Sequence, residues 1–287
     1  MDLSAVREAT AFLQPWEFSP AVFALCAGSA VLYVAGLTRT PRAERPHGAR
    51  TLAFLLGCGL VYFVMQTRFD FLSQHMFFVH RIQHLVLHHL GPFLVALSQP
   101  LPTLARGLPA GFADRYLVPV WRHAVTRATY RVLQNALVAP VLFVGLIFFW
   151  LEPAVHFDAM LSAPRYALMN WSMLLDGLLF WALLFDPRTR EQGAPVGLGL
   201  RIWLALLAIP PQIWLGAHIA LADHDIFDVY AICGRVWDFT AREDQGIGGI
   251  MIWIPASMMH VAAVLILIGR WMRADRDRAS PPKCAAA

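Results

Sequence analysis

Apolar residues gather in seven stretches that approach the roughly 20 residues a helix needs to cross a bilayer: 20–37, 51–66, 75–97, 135–151, 167–185, 202–222 and 248–268. The pattern predicts an all-α polytopic membrane protein, a seven-transmembrane-helix bundle over residues 20–270. It is flanked by an outer tail, 1–19, and a polar, basic inner tail, 271–287, that is expected to be disordered. The longest connection carries alternating apolar, aromatic and basic residues over 112–133, the pattern of a helix lying on the inner leaflet. Another connection, 223–245, is acidic, with Asp223, Asp225, Asp228, Asp238, Glu243 and Asp244 against Arg235 and Arg242. Such a segment reads as a solvated outer loop or as a cap that concentrates cations.

The third stretch breaks the apolar rule. His75, His80, His84, His88 and His89 fall within it, and His80, His84 and His88 are spaced four apart, which stacks them along one face of an α-helix. At about 1.5 Å per residue the ends of that stripe lie about 12 Å apart, so it suits a path or two half-sites better than a single site. His75 and His89 fall off the stripe. Gly91-Pro92 follows, and the proline frees a carbonyl one turn earlier, near His88, bending the helix and opening room there unless neighbours compensate. Ionisable groups inside a span mark a site, a relay or a buried partner, and the plain alternative is hydrogen bonding between helices.

Composition agrees with the pattern: 58% of the 287 residues are hydrophobic and 15% charged. Most of the 23 Lys and Arg fall in alternate connections, Arg39 to Arg50, Arg106 to Arg131, Arg188 to Arg201 and Arg270 to Lys283, which orients the bundle N-out and C-in. Arg81 lies just inside the third span. The charge of +4 is met by anionic lipid, so no nucleic-acid partner is implied. The first 19 residues lack a basic flank, an apolar run and a cleavage site, so no removable signal peptide is expected. The four cysteines form no C-x-x-C, which argues against a thiol clamp or redox motif.

Counted from the span ends, several further residues reach the depth of the histidines. Asp176 lies in the fifth span, His218 near the outer end of the sixth, and Met258, Met259 and His260 in the seventh. Imidazole with thioether suits copper, particularly the cuprous ion, whereas zinc has no use for methionine. Two histidines on facing helices also suit a b-type haem.

The third stretch, HRIQHLVLHHLGPFLVALSQP, and the seventh, DQGIGGIMIWIPASMMH, together with FWALLFDPR at the end of the fifth, resemble the seven-span CtaG-like (caa3-type) family of cytochrome c oxidase assembly factors. The resemblance singles out His84 with Pro92, and Asp244, Gln245, Gly248, Gly249, Trp253 and Pro255. It implies a non-enzymatic role in maturing a haem-copper oxidase, in the inner (plasma) membrane of a bacterium. Combined with the residue chemistry, the expectation is a copper-binding chaperone with His80, His84, His88, His218 and His260 as ligands. Asp176, Met258, Met259, Asp244 and Gln245 are accessory, and an oxidase subunit and an outer-side copper donor are partners. The competing readings are a haem-binding electron carrier, a metal transporter and a metal-free scaffold.

Overall fold

The structure, a computed structural model, describes residues 12–279. Arg7, Lys283 and Cys284, and the residues before Phe12 that bear on a signal peptide, lie outside that range. All regular elements within it are helical, joined by one isolated bridge between Pro15 and Thr67. In order they are α1 (Pro20–Arg39), α2 (Gly48–Gln66), α3 (Arg68–His75), α4 (Phe77–His84), a π turn (Leu85–Leu90), α5 (Gly91–Ser98), α6 (Leu101–Gly107), α7 (Val118–Arg122), α8 (Ala124–Leu133), α9 (Val138–Leu151), α10 (Pro153–Met160), α11 (Ala163–Phe185), α12 (Leu198–Leu207), α13 (Ile209–Ala220), α14 (Val229–Cys233) and α15 (Ala241–Ala279), with short 3-10 and π turns at Arg42–Glu44 and Ala113–Leu117.

Five helical rods are long and apolar enough to cross a membrane: α1, α2, α11, α12 continued by α13, and α15. The pair α8 and α9 makes a sixth only as a span broken by 72°. The expected third span is a different object. Met76 is extended, so His75 belongs to α3, and its ring is tied to the Phe71 carbonyl at 2.8 Å. Helix then runs from Phe77 to Ser98 through the π turn.

Close backbone approach, not side-chain bulk, sets several crossings. A Cβ at Gly36 would overlap the Thr103 carbonyl and one at Gly107 the Leu32 carbonyl, so α1 and α6 meet glycine to glycine. Gly177 of α11 lies under the His88 carbonyl, where a Cβ would come within 2.5 Å of the oxygen. That contact fills the space that the proline was expected to open. The freed carbonyl itself is taken by the Trp181 indole N–H at 3.1 Å.

Of three buried apolar clusters, one joins α1 and α2 to the π turn through Val22, Val61, Val64 and Leu87, and the other two divide the bundle lengthwise. Of those two, one, towards the arginine-rich connections, is built on Phe93, Phe143, Phe180, Trp181 and Phe185; the other, towards the acidic connection, on Phe77, Trp150, Met169, Met173 and Phe227. The acidic connection is not a merely solvated loop. Phe227, Val229 and Tyr230 are buried, so its middle plugs that end of the bundle. The segment 112–133, by contrast, is largely exposed, as an interfacial stretch would be. The expected disorder from residue 271 is corrected as well: α15 continues to Ala279, because Ala, Arg and Met propagate helix and no proline intervenes before Pro281.

Candidate functional site

The π turn decides which histidines meet. Its bonds run five residues apart, so residues at i and i+5 share a face. His84 and His89 are five apart, and both line one cavity of about 30 Å³ with Arg81, Met173, Gln212 and Met251. His88, expected to continue the stripe, turns instead to α11, where its Nε2 lies 3.0 Å from Asp176 Oδ2. An α-helix would have left His89 off the face and kept His88 on it.

Hydrogen bonds fix the tautomers. His156 Nδ1 faces the Trp150 carbonyl at 3.0 Å, and a carbonyl only accepts, so that nitrogen carries the proton. A neutral His156 then accepts at Nε2 from the Tyr230 hydroxyl, 2.9 Å away, leaving the Tyr230 oxygen to accept from His80 Nδ1 at 2.8 Å. His80 Nε2 is in turn an acceptor for His84 Nε2–H at 3.1 Å, a proton shared with Asn170 Oδ1 at 3.1 Å. His84 Nδ1 is left with a lone pair, buried and without a partner.

Three other histidines end in the same state. His89 Nε2 donates to Gln212 Oε1 at 2.9 Å, and the Gln212 amide is held that way round by its own bond to the Ala208 carbonyl at 2.7 Å. His88 Nε2 donates to Asp176, and His260 Nδ1 donates to the Ala256 carbonyl at 2.9 Å. Their remaining nitrogens, His89 Nδ1, His88 Nδ1 and His260 Nε2, are all buried and unpartnered. An imidazole whose N–H is tied to an oxygen while its other nitrogen stays bare is the arrangement that metal-bound histidines adopt. The rings of His88 and His89 are 5.0 Å apart and those of His89 and His260 are 5.5 Å apart. Among the described residues no three His, Cys, Asp or Glu side chains close on one point. The donors the cavity does offer, two imidazoles with two thioethers beside them, fit a soft ion.

Several expected ligands lie elsewhere. His218 is exposed on the bundle surface and stacks on Trp214 at 5.5 Å, and Met258 is 62% exposed. Both occupy helix positions whose neighbours in depth are inward, but depth says nothing about direction round the helix. Met259 packs against the cluster around Phe93. His80 has both nitrogens engaged and acts through His84.

Asp244 and Gln245 bond to backbone in this structure. Asp244, fully buried, accepts from the Phe77 and Phe78 amides at 3.0 and 2.8 Å, capping α4 from across the bundle, and from Arg235 Nε at 3.1 Å. Gln245 ties the Ile219 and His224 carbonyls and the Ile226 amide together. Gly248 leaves room for the Phe77 ring, and Gly249 meets Gly216 of α13. The FDPR segment is a clamp: Arg201 donates to the Asp186, Arg188 and Val196 carbonyls.

Sequence reasoning passed over Tyr230, His156, Asn170, Gln212 and the part played by His89. Asn170 and Gln212 carried a signal, as polar amides inside apolar spans. Tyr230 carried none, because its burial depends on how its connection folds back.

The family described as cytochrome c oxidase caa3 assembly factor (Caa3_CtaG) matches residues 31–274, most of the chain. Two uncharacterized proteins, one from Mycobacterium bovis and one from Mycobacterium tuberculosis, are each 27% identical over 285 residues, covering 93% of this chain. The chain spans 41% of the length of these relatives. No solved structure matches it significantly.

Proposed function

The chain belongs to the cytochrome c oxidase caa3 assembly factor family, and from that premise we propose that it matures a haem-copper oxidase by holding a cuprous ion within the bundle and passing it on. The observation that carries this reading is the set of four buried imidazoles, each with one N–H tied to oxygen and the other nitrogen bare. His84 Nδ1 and His89 Nδ1 are the primary ligands, with the thioethers of Met173 and Met251 on the same cavity wall. Soft thioether and imidazole together favour cuprous copper over zinc. His260 and His88 offer the next bare nitrogens along the bundle, so the ion is handed between two-coordinate sites instead of being locked in one.

Asp176 does not face the ion in this reading; it orients His88. The role is that of a chaperone and not of an enzyme. A cavity of about 30 Å³ favours an ion over a porphyrin, which lowers the haem b alternative. The orientation, N-out and C-in across seven spans in a bacterial inner membrane, follows the arginine distribution and puts the Tyr230 plug on the outer side, where a copper donor would dock. The oxidase subunit would receive the ion by contact between helices.

The test is copper and haem content of the detergent-purified protein beside a His84→Ala/His89→Ala double variant. Copper at one per chain, lost in the variant, supports the reading. Haem in place of copper moves the function to electron transfer, and neither group in a protein that still supports oxidase maturation makes it a scaffold.

A further inference from the structure

We propose that the cavity takes its cuprous ion together with a monatomic monovalent anion, a halide, held by Arg81 as the ion's third ligand; the proposal rests on the cuprous reading above. Arg81 lines the same cavity as His84 and His89, is only 4% exposed, and has no hydrogen-bond partner at Nε or Nη2. Among the described residues it has no ion pair.

The nearby carboxylates are committed elsewhere. Asp244 is held by Arg235 and two amides, Asp176 by His88, and Asp70 by Gln74, Gln83 and Tyr166. The Arg81 guanidinium instead lies over the face of Phe77, its carbon 5.1 Å from the ring centre, and also bonds the Tyr230 hydroxyl, a neutral group that leaves its charge unpaired. A guanidinium stays charged, and an uncompensated charge in an apolar bundle is costly.

The same charge opposes a bare cation on the imidazoles across the cavity. An anion between the two resolves both problems: it completes the coordination of an ion that has only two imidazoles and pairs with the guanidinium. Size narrows the class. The cavity, about 30 Å³, holds roughly two water-sized groups, which suits a metal ion and one monatomic anion better than a metal ion and a tetrahedral oxyanion.

The experiment loads the full-length protein with cuprous ion in bromide or in perchlorate, for the wild type, Arg81→Gln and Arg81→Lys. Affinity is measured by competition with a cuprous chelator at each bromide concentration, so that complexation by the halide itself cancels between proteins. X-ray absorption at the copper edge reads the ligands directly. Bromide is expected to raise the wild-type affinity about tenfold relative to Arg81→Gln, with a bromide scatterer on copper in the wild type that Arg81→Gln lacks. Copper bound by the wild type without a bromide scatterer overturns the proposal, whether or not the variants fold. Copper absent from every sample overturns it too, and metal analysis then identifies the cuprous reading as the part that failed.

Discussion

Trp181 donates its indole N–H to the carbonyl of His88, 3.1 Å away. Pro92 is what leaves that carbonyl without a helical partner, so a residue of α11 completes a bond that the helix cannot make for itself. The backbone at the π turn is thereby tied to the neighbouring span, and the two adjacent histidines are tied with it.

Replacing Trp181 with Phe keeps most of the ring packing but strands the buried carbonyl, so the loss is expected to be about 1–3 kcal/mol. In a Pro92→Ala background the same replacement should cost less, because an alanine at that position supplies the backbone N–H that proline lacks. Unfolding titrations in SDS on the four proteins measure the coupling. Equal losses in both backgrounds would show that the indole contributes packing alone.

Gly177→Ala puts a methyl within 2.5 Å of the same carbonyl oxygen. Backbone cannot yield as a side chain tip does, so destabilisation of about 1–3 kcal/mol is expected from the same titration. Gly28→Ala meets nothing within 4 Å and serves as the control, with no loss expected.

Removing the Asp244 carboxylate strips two amides at the start of α4 and the nearer of the two carboxylates that Arg235 pairs with, the other being Asp225 at 3.8 Å, in one step. Asp244→Ala is expected to lose about 3–5 kcal/mol, and the double variant Asp244→Ala/Arg235→Met less than the sum of the singles. Strict additivity would mean that the pair does not act as one.

Nitrogen NMR of histidine-labelled protein in lipid reports tautomers directly. His84, His88 and His89 should carry the proton on Nε2, and His156 and His260 on Nδ1, as their oxygen partners dictate. A proton on His84 Nδ1 in the metal-free protein would deprive the cavity of a bare nitrogen and rule His84 out as a ligand in that form.

His218→Ala and Met258→Ala should leave copper content unchanged, since both side chains are exposed on the outside of the bundle. Loss of copper from either, measured beside the His84→Ala/His89→Ala variant, would mean that ions approach through the lipid-facing surface.

Much of the bundle was legible because length and apolarity are local properties. α1, α2, α11 and the α12–α13 rod fall close to the stretches read from sequence. The freed carbonyl near His88 was legible too, being a direct consequence of proline chemistry. His89 was not: a sequence shows spacing, and spacing becomes direction only once the helix type is known. His218 and Met258 mark the same limit, since depth along a span can be counted but the side it faces cannot. Tyr230 marks another, because a connection that folds back into the bundle looks in sequence like one that stays in water.

The π turn at Leu85–Leu90 also shifts the phase of the sequence against the helix. Removing a single residue there would return its five-residue bonds to the four-residue bonds of an α-helix, so α4 and α5 would stay in line and Phe93 would keep the cluster it shares with Trp181. His84 and His89 would then fall four apart, on one face of an ordinary helix. The turn therefore takes up one residue without moving its flanks, and it is what lets two histidines five apart share a cavity.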